Sequence, residues 1–504
     1  MALRCAGALA KPRGLRPYTG AMWKTQIWRP GRWWWALLAM AGVVHAAEPA
    51  LPAGVAAALQ RAQIPAQAVS LYVAPADGHA PARLAWQAQQ PMNPASVMKL
   101  VTTYAALEQL GPSYVWRTPL YLDGVLEPGV LRGNVYLRGV GDPQLPAERL
   151  WLLLARLRSM GVQVIAGDVV LDRSAFRLAP HDAAAFDNEP HRPYNAGPDA
   201  LLVHYKSQVL SFWPDVAAGV ARIHYELPLP HWQLTQTVPL APAGTPCGDW
   251  RSQLQADWSQ PQRIQLSGRY PASCGDKQWA VALAQPEQFA RHAVEGMWRS
   301  LGGSITGQVR DGLLPPGLQP AWETVSPSLG EVVRSINKYS NNVMTQQLLL
   351  TLGRERQGDG SLEGGRAALA QWWQVRWPGV PAPVVDNGAG LSRQARISAQ
   401  ALGGMLQTAW QSPVMPELVA SLPISGTDGT LRRSKAGASA HLKTGSLRDV
   451  NALAGYVLGH SGQRYVLVAI INHDNAGAAR PVLDALVDWA AQDSAAAATP
   501  AAAR

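Results

Sequence analysis

The sequence predicts an α/β (α+β) fold in which an antiparallel sheet is flanked by helices and interrupted by inserted, mostly β segments. Apolar residues recur at helical spacing from Ala95 to Leu110. Strand-like runs at residues 441–446, 451–458 and 465–471 predict an antiparallel meander near the C-terminus. Between these regions, residues 120–300 alternate short apolar runs with Gly, Asp and Pro, which is typical of β-structure.

Apolar periodicity predicts two further helices, at residues 329–336 and 343–352. We expect Gly353 to cap the second of these helices at its C-terminus. The polar tripeptide Ser340-Asn341-Asn342 separates the two helices. Side chains at such a break could point into a cleft.

Residues 1–46 predict a cleavable export signal. They contain seven Lys or Arg, no acidic residue, an apolar run from Trp33 to Val44 and an A-x-A-like end at Ala46. Because the run is shorter than the roughly 20 residues of a membrane span, we expect no stable span after cleavage, with an uncleaved anchor as the alternative. Either Met1 or Met22 could be the true start.

Charge and cysteine content narrow the function further. The net charge of +10 falls to about +3 without the signal, and such a nearly neutral body gives no support for a nucleic-acid binder, which would be expected to show a strongly basic face. Cys5 belongs to the signal, and we predict a disulfide between Cys247 and Cys274 because exported chains meet an oxidising environment. Two free thiols are the alternative. The 11 His residues form no His-x-x-x-His pair with an acid, so neither a metal nor another cofactor is indicated.

Ser96 and Lys99 form the first candidate motif, at the start of the helix predicted from Ala95. A serine hydroxyl needs a base in reach to attack a carbonyl, and residues three apart share one face of a helix. Lys99 could be that base if burial and a second cation lower its pKa. The N–H of Ser96, at the positive end of the helix, could hold a developing oxyanion.

Ser340 and Asn342 form the second candidate motif, Ser-x-Asn. A decoy precedes it, because Ser335 is followed by Asn337 and Lys338 and therefore mimics both motifs. We prefer Ser340 because Ser335 lies within a helical pattern, whereas Ser340 lies at the break. A plain helix cap is the alternative for this tripeptide.

Lys443, Thr444 and Gly445 form the third candidate motif, on the first strand of the predicted meander. Alternation puts Lys443 and Gly445 on one face and Thr444 on the other. Lys443 would be the second cation beside Lys99, and a small Gly445 would allow close approach of a substrate backbone. An edge strand here could pair with an extended peptide, and the N–H of Ser446 could be the second oxyanion donor. The alternative is an ordinary polar edge strand.

In the order of its three motifs and in four flanking strings, the sequence resembles the penicillin-binding proteins. The resemblance is narrower to the low-molecular-mass class C D-alanyl-D-alanine carboxypeptidases and endopeptidases of peptidase family S13. The strings are Asn93–Leu100, Gly139–Pro143, Asp386–Arg393 and Gly426–Leu431. The long interval from Ser96 to Ser340 separates this family from the serine β-lactamases. The resemblance implies a β-lactamase/transpeptidase-like catalytic domain at 47–118 and 301–490 and nested inserted domains at 119–300. Composition places the signal peptide at 1–46 before them and predicts a disordered, low-complexity tail at 491–504.

The resemblance also implies an activity. The chain would be a periplasmic peptidase that acts on peptidoglycan stem peptides and cross-links, and β-lactams would acylate the same serine covalently. Ser96 would be acylated, Lys99 would take its proton, and Ser340 would relay a proton to the leaving amine. Asn342 would bind a substrate amide, although Asn341 stands where the family often has Asp.

The remaining implied residues bind the substrate. Lys443, Thr444 and Ser446 would meet its terminal carboxylate. The resemblance implies a pocket that reads the charged end of diaminopimelate, and Arg393, Arg448, Glu189 and Tyr194 lie at plausible places for it. A solvated surface is the alternative for all four.

Two other functions are compatible with the motifs. A serine β-lactamase or esterase would need a residue that speeds deacylation, and none can be assigned. A catalytically silent cell-wall binding protein would be favoured by the loss of a motif residue, and none is lost. The sequence predicts neither the oligomeric state nor the balance of carboxypeptidase and endopeptidase action.

Overall fold

The computed structural model describes residues 50–493 except Pro261 and Ala284. The predicted signal peptide lies outside the described residues, as does the predicted tail from Ser494 onwards. The last helix ends at Ala491, where we predict the tail to begin. In the described part of the chain, no helix is both long and apolar enough to cross a membrane.

Helices and strands alternate along the described residues. The α-helices are α1 (Ala53–Ala62), α2 (Lys99–Leu110), α3 (Ala147–Ser159), α4 (Phe289–Ser300), α5 (Leu329–Tyr339), α6 (Asn342–Gln357), α7 (Leu362–Arg376), α8 (Ala399–Trp410), α9 (Met415–Ser421) and α10 (Arg480–Ala491). The β-strands are β1 (Val69–Pro75), β2 (Leu84–Trp86), β3 (Pro91–Met92), β4 (Arg117–Glu127), β5 (Val130–Arg138), β6 (Val164–Ile165), β7 (Val169–Asp172), β8 (Ser207–Asp215), β9 (Val220–Tyr225), β10 (Gln233–Leu234), β11 (Thr237–Pro239), β12 (Leu254–Asp257), β13 (Arg263–Gly268), β14 (Lys277–Ala282), β15 (Ser304–Ile305), β16 (Val309–Asp311), β17 (Trp322–Val325), β18 (Ile397–Ser398), β19 (Ala440–Leu447), β20 (Val450–Leu458) and β21 (Arg464–Asn472).

The central sheet consists of five antiparallel strands in the order β19-β20-β21-β1-β2. Its two faces pack against different helices, because successive side chains of a strand point to opposite sides. Along β20, Ala452 and Ala454 belong to a core that includes α2, α5, α6, α7 and α8, whereas Leu453 and Val457 belong to a core with α1 and α10. The predicted antiparallel sheet flanked by helices is confirmed, and so is the C-terminal meander.

Residues 117–325 form further sheets around a separate apolar core. One sheet contains the path β15-β6-β5-β4-β17 together with β7 and β16, and the others have the orders β11-β9-β8-β14 and β10-β13-β12. The region is mostly β, as predicted, with α3 and α4 packed on it. Strands β15, β16 and β17 pair with β6, β7 and β4, so the first of these sheets continues past the domain boundary that we predict at residue 300.

Cys247 and Cys274 are joined in a disulfide, the pairing that the sequence predicts. Both residues pack into the core of these mostly β sheets. The bridge links two loop segments that lie 27 residues apart in the sequence.

The predicted end of α6 is wrong. The helix runs on to Gln357, and Gly358 takes the left-handed φ of 66° that caps it. Gly353 lies inside the helix and faces α7, where a Cβ atom would lie 2.6 Å from the backbone nitrogen of Gly365. This glycine therefore permits two helices to pack closely and does not end one.

Candidate active site

Ser96 lies in a 3₁₀ turn, Ala95–Met98, that leads directly into α2. Asn93 holds the start of this turn, because its Oδ1 accepts a hydrogen bond from the Ala95 N–H at 2.9 Å. The Nδ2 of Asn93 donates to the carbonyl of Ser392 at 2.8 Å. Ala95 has a left-handed φ of 46°, which is costly for a residue with a Cβ. The residue before the candidate nucleophile is thus held in a strained conformation by its surroundings.

Lys99 is completely buried beneath Ser96, and its Nζ lies 3.0 Å from Ser96 Oγ. The same Nζ lies 2.6 Å from Asn342 Oδ1 and 2.6 Å from the carbonyl oxygen of Ala389. Burial and then the positive charge of Lys443 hold the pKa of Lys99 well below its usual value. A neutral amine here would donate its two hydrogens to Asn342 and Ala389 and turn its lone pair toward Ser96.

Lys443 is the second completely buried lysine of the site. Its Nζ donates to Ser340 Oγ at 2.8 Å and to the carbonyl of Thr444 at 2.8 Å. Burial lowers the pKa of Lys443 to about 7. Lys99 thus contacts Ser96, and Lys443 contacts Ser340. The structure therefore brings all three predicted motifs together.

The tripeptide between α5 and α6 divides its roles among three side chains. Ser340 ends α5 with a left-handed φ of 57° and contacts Lys443. Asn341 caps α6, because its Oδ1 accepts a hydrogen bond from the N–H of Met344 at 3.0 Å. Asn342 contacts Lys99 and donates its Nδ2 to the carbonyl of Tyr194 at 3.1 Å. Asn341 is thus the only one of the three whose side chain caps a helix, whereas Ser340 ends α5 through its backbone and keeps its hydroxyl on Lys443.

Strand β19 alternates as predicted, with Lys443 and Gly445 buried and Thr444 more exposed. The space beside Gly445 belongs to the chain itself, because a Cβ atom there would lie 2.5 Å from the carbonyl oxygen of Pro94. The glycine therefore accommodates the turn that carries Ser96. The sequence predicts that a substrate backbone comes close at this position, but in the structure it is the backbone of the chain itself that does so.

The outer edge of β19 is only partly covered. A short segment, residues 423–425, pairs with its first half: Leu442 N–H donates to the carbonyl of Pro423, and Ser425 N–H donates to the carbonyl of Ala440. Since backbone groups alternate between the two edges of a strand, the N–H groups of Thr444 and Ser446 point to this same edge. Within residues 50–493, no strand pairs with that second half of the edge.

The decoy motif lies elsewhere in the structure. Asn337 and Lys338 are buried in α5, and Asn337 Nδ2 donates to Ser421 Oγ at 2.9 Å. Lys338 Nζ lies 2.6 Å from Asp428 Oδ2. These contacts tie α5 to the last residue of α9 and to the segment that follows it, and among the described residues no lysine contacts Ser335 as Lys99 contacts Ser96.

The four residues proposed to read a charged substrate end differ in their surroundings. Arg393 pairs with Asp449 at 2.6 Å and lies over the ring of Phe186 at 4.9 Å. Arg448 is exposed at the end of β19. Glu189 pairs with Arg192, and Tyr194 lines a cavity of about 570 Å³ that also borders the Ser-x-Asn tripeptide.

Sequence reasoning missed two contacts of Lys99, with the carbonyl of Ala389 and with the side chain of Asn342. Asn387 orders this loop, because its Oδ1 accepts a hydrogen bond from the Ala389 N–H and its Nδ2 donates to the carbonyl of Leu391. The flanking string Asp386–Arg393 marked the region, but a backbone acceptor leaves no signature of its own. Among the described residues, no group of three or more His, Cys, Asp or Glu could hold a metal ion.

The fold and the site together define a class, the serine hydrolases of the penicillin-binding type. The sequence matches the family described as D-Ala-D-Ala carboxypeptidase 3 (S13) over residues 51–493, and the chain belongs to this family. It is therefore a serine-type D-Ala-D-Ala carboxypeptidase.

Curated relatives and a solved structure agree with this assignment. The D-alanyl-D-alanine carboxypeptidase of Actinomadura sp. (strain R39) is 29% identical over 413 residues, which are 77% of this chain and 74% of the relative. The D-alanyl-D-alanine carboxypeptidase DacB of Haemophilus influenzae is 24% identical over 395 residues, 76% of this chain and 81% of the relative. The crystal structure of penicillin binding protein 4 (dacB) from Haemophilus influenzae has a TM-score of 0.70 at 22% identity and covers 86% of this chain and 98% of its own. This likeness confirms the predicted fold.

Proposed function

We propose that the chain hydrolyses D-Ala-D-Ala stem peptides and cross-links of peptidoglycan through an acyl-enzyme on Ser96. The observation that carries this proposal is the buried Lys99 Nζ at 3.0 Å from Ser96 Oγ. A lysine is a base only when neutral, and burial beside a second cation favours the neutral form. Lys99 then removes the proton as Ser96 attacks the carbonyl of the penultimate D-alanine.

Two backbone donors stabilise the developing oxyanion. Ser96 is the second residue of its 3₁₀ turn, so its N–H has no partner within the helix. The N–H of Ser446 points to the free part of the β19 edge. An extended substrate that pairs with this edge brings its scissile carbonyl between the two donors.

Ser340 passes a proton to the leaving amine. Its hydroxyl accepts a hydrogen bond from Lys443 Nζ at 2.8 Å, so its own hydrogen remains free to be donated. With a pKa of about 7, Lys443 can return the proton to the hydroxyl at neutral pH. Water then hydrolyses the acyl-enzyme.

The substrate carboxylate is held by the Thr444 and Ser446 hydroxyls in the field of Lys443, and Asn342 binds a substrate amide. The Arg393 and Arg448 guanidinium groups, with Tyr194, face the charged end of the stem peptide. Arg393 is already paired with Asp449, so it would read that end as part of an ion pair. β-Lactams carry a carboxylate and a strained amide, and they acylate Ser96 in the same way.

The same proposal places the protein in the periplasm. A disulfide persists in oxidising compartments, which agrees with the bridge between Cys247 and Cys274. The predicted export signal would deliver the chain there.

Labelling with a fluorescent penicillin, followed by digestion and mapping of the adduct, tests the acyl-enzyme. We expect the label on Ser96 and none on the Ser96→Ala variant. Ser335→Ala is the matched control, since it removes the serine of the decoy motif and should label like the wild type. Label on a residue other than Ser96, or on the Ser96→Ala variant, would contradict the mechanism.

A further inference from the structure

The loop between α9 and β19 places a hydroxyl against the substrate-binding strand. Thr430 lies in the 3₁₀ turn Gly429–Leu431, and its Oγ1 lies 2.7 Å from Thr444 Oγ1. Both hydroxyls are at the surface of the site, and Thr444 is the residue proposed to meet the terminal carboxylate. A threonine hydroxyl has one hydrogen to donate, so its partner decides where that hydrogen points.

The position of Thr430 is fixed from three sides. Asp428 accepts hydrogen bonds from Lys338 Nζ at 2.6 Å and from the N–H of Ile424 at 2.8 Å. Lys338 is buried, so this charged contact is sheltered from solvent. Gly429 lies against α5, where a Cβ atom would come within 2.5 Å of the Lys338 carbonyl oxygen, and Leu431 is buried in the core with α10.

We propose that Thr430 is a positioning residue for the substrate's terminal carboxylate, acting through the hydroxyl of Thr444 and held in place by the Lys338–Asp428 pair. A carboxylate only accepts hydrogen bonds. When it binds, Thr444 donates its hydrogen to the carboxylate and accepts one from Thr430. Thr430 therefore keeps the Thr444 hydroxyl pointing at the substrate. The inference rests on the proposed function, because it assumes that the carboxylate binds at Thr444.

Acylation of Ser96 by a penicillin and by its methyl ester separates carboxylate recognition from general damage. Thr430→Val removes the hydroxyl at nearly constant volume. We expect its acylation rate with the free acid to fall by up to about tenfold, the size of one lost hydrogen bond between neutral groups, and its rate with the ester to stay unchanged. Thr430→Ser should restore the wild-type ratio of the two rates, and Asp428→Asn should lower that ratio in the same direction as Thr430→Val.

Thr427→Val is the matched control, because Thr427 is an exposed threonine of the same loop whose hydroxyl bonds only the carbonyl of Ser425 among the described residues. It should keep the wild-type ratio. The inference is overturned if Thr430→Val slows acid and ester equally, slows neither, or is matched by Thr427→Val. These outcomes are independent of the proposed function, which fails only if Ser96 is not the residue acylated.

Discussion

The chemistry of the site depends on two lysines that are removed from water. Burying a charged ammonium group costs several kcal/mol, so the site favours neutral Lys99 and leaves Lys443 close to its neutralisation point. Each lysine contacts one serine, Ser96 or Ser340. In the proposed mechanism, the pair Lys99 and Ser96 handles the proton of the nucleophile, and the pair Lys443 and Ser340 handles the proton that goes to the leaving group.

Replacing Lys443 by Met should shift the ascending limb of the pH–rate profile of acylation to higher pH. The rate rises with pH as Lys99 loses its proton, and the charge of Lys443 lowers the pKa of Lys99. Without that charge the pKa of Lys99 rises, so the ascending limb shifts to higher pH, and the rate at neutral pH falls by about 10²-fold because the proton relay is also lost. Stopped-flow labelling with a fluorescent penicillin across pH measures both effects.

Lys435→Met removes an exposed lysine in the loop before β19 and should leave the limb where it is. An unchanged limb in Lys443→Met, or a shift to lower pH, would show that Lys443 does not set the pKa of Lys99.

At this scale, the sequence predicts residue types and spacing well and their partners less well. The separation of Ser96 from Lys99 follows from helix geometry, so their contact could be predicted. The carbonyl of Ala389 could not, because any residue can supply a backbone oxygen. The sequence indicated that the tripeptide could cap a helix, but it did not indicate that Asn341 is the residue whose side chain does so.

At the scale of the element, the distance between β19 and the turn before α2 decides whether the site forms. Gly445 sets this distance, since only a residue without a Cβ lets the Pro94 carbonyl approach. The periodicity of the sequence predicts both elements but not their separation. The same limit explains the error at Gly353, because a glycine that packs two helices together looks like a glycine that ends one.

Gly445→Ala should therefore damage both stability and acylation. The added Cβ would lie 2.5 Å from Pro94 O, so strand and turn must move apart, at a cost of about 1–3 kcal/mol in the free energy of unfolding. Thermal unfolding and the rate of penicillin labelling measure the two effects. Gly437→Ala is the control, because its Cβ would meet only Asp488 Oδ1, at 3.9 Å. Wild-type labelling by Gly445→Ala would contradict the role given to this contact.

At the scale of the whole molecule, the central sheet joins distant parts of the chain. Strands β1 and β2 precede the sheets formed by residues 117–325, and β19 to β21 follow them. The order and spacing of the motifs predict this arrangement through a family resemblance. Hydrophobic patterning alone does not, because it cannot tell which strands pair across such an interval.

The disulfide should stabilise the mostly β region without affecting the chemistry. Cys247 and Cys274 pack in the core of that region, whereas Ser96 and Lys99 lie in the turn and helix beside the central sheet and Lys443 lies on its strand β19. Replacing both cysteines by Ser should lower the free energy of unfolding by roughly 3 kcal/mol in the loop-entropy model. Thermal unfolding measures the loss, and penicillin labelling at 25 °C should keep its wild-type rate. An unchanged unfolding curve, or slow labelling of the folded variant, would contradict this division.

The segment 423–425 that covers half of the β19 edge has a consequence for solubility. A long, open strand edge invites pairing between copies of a protein, and such pairing can lead to aggregation. Here the open edge is limited to the stretch around Thr444 and Ser446. This stretch presents the outward-pointing N–H groups of Thr444 and Ser446. Among the described residues, the segment therefore leaves few unpaired backbone groups through which β19 could pair with a strand of a second copy.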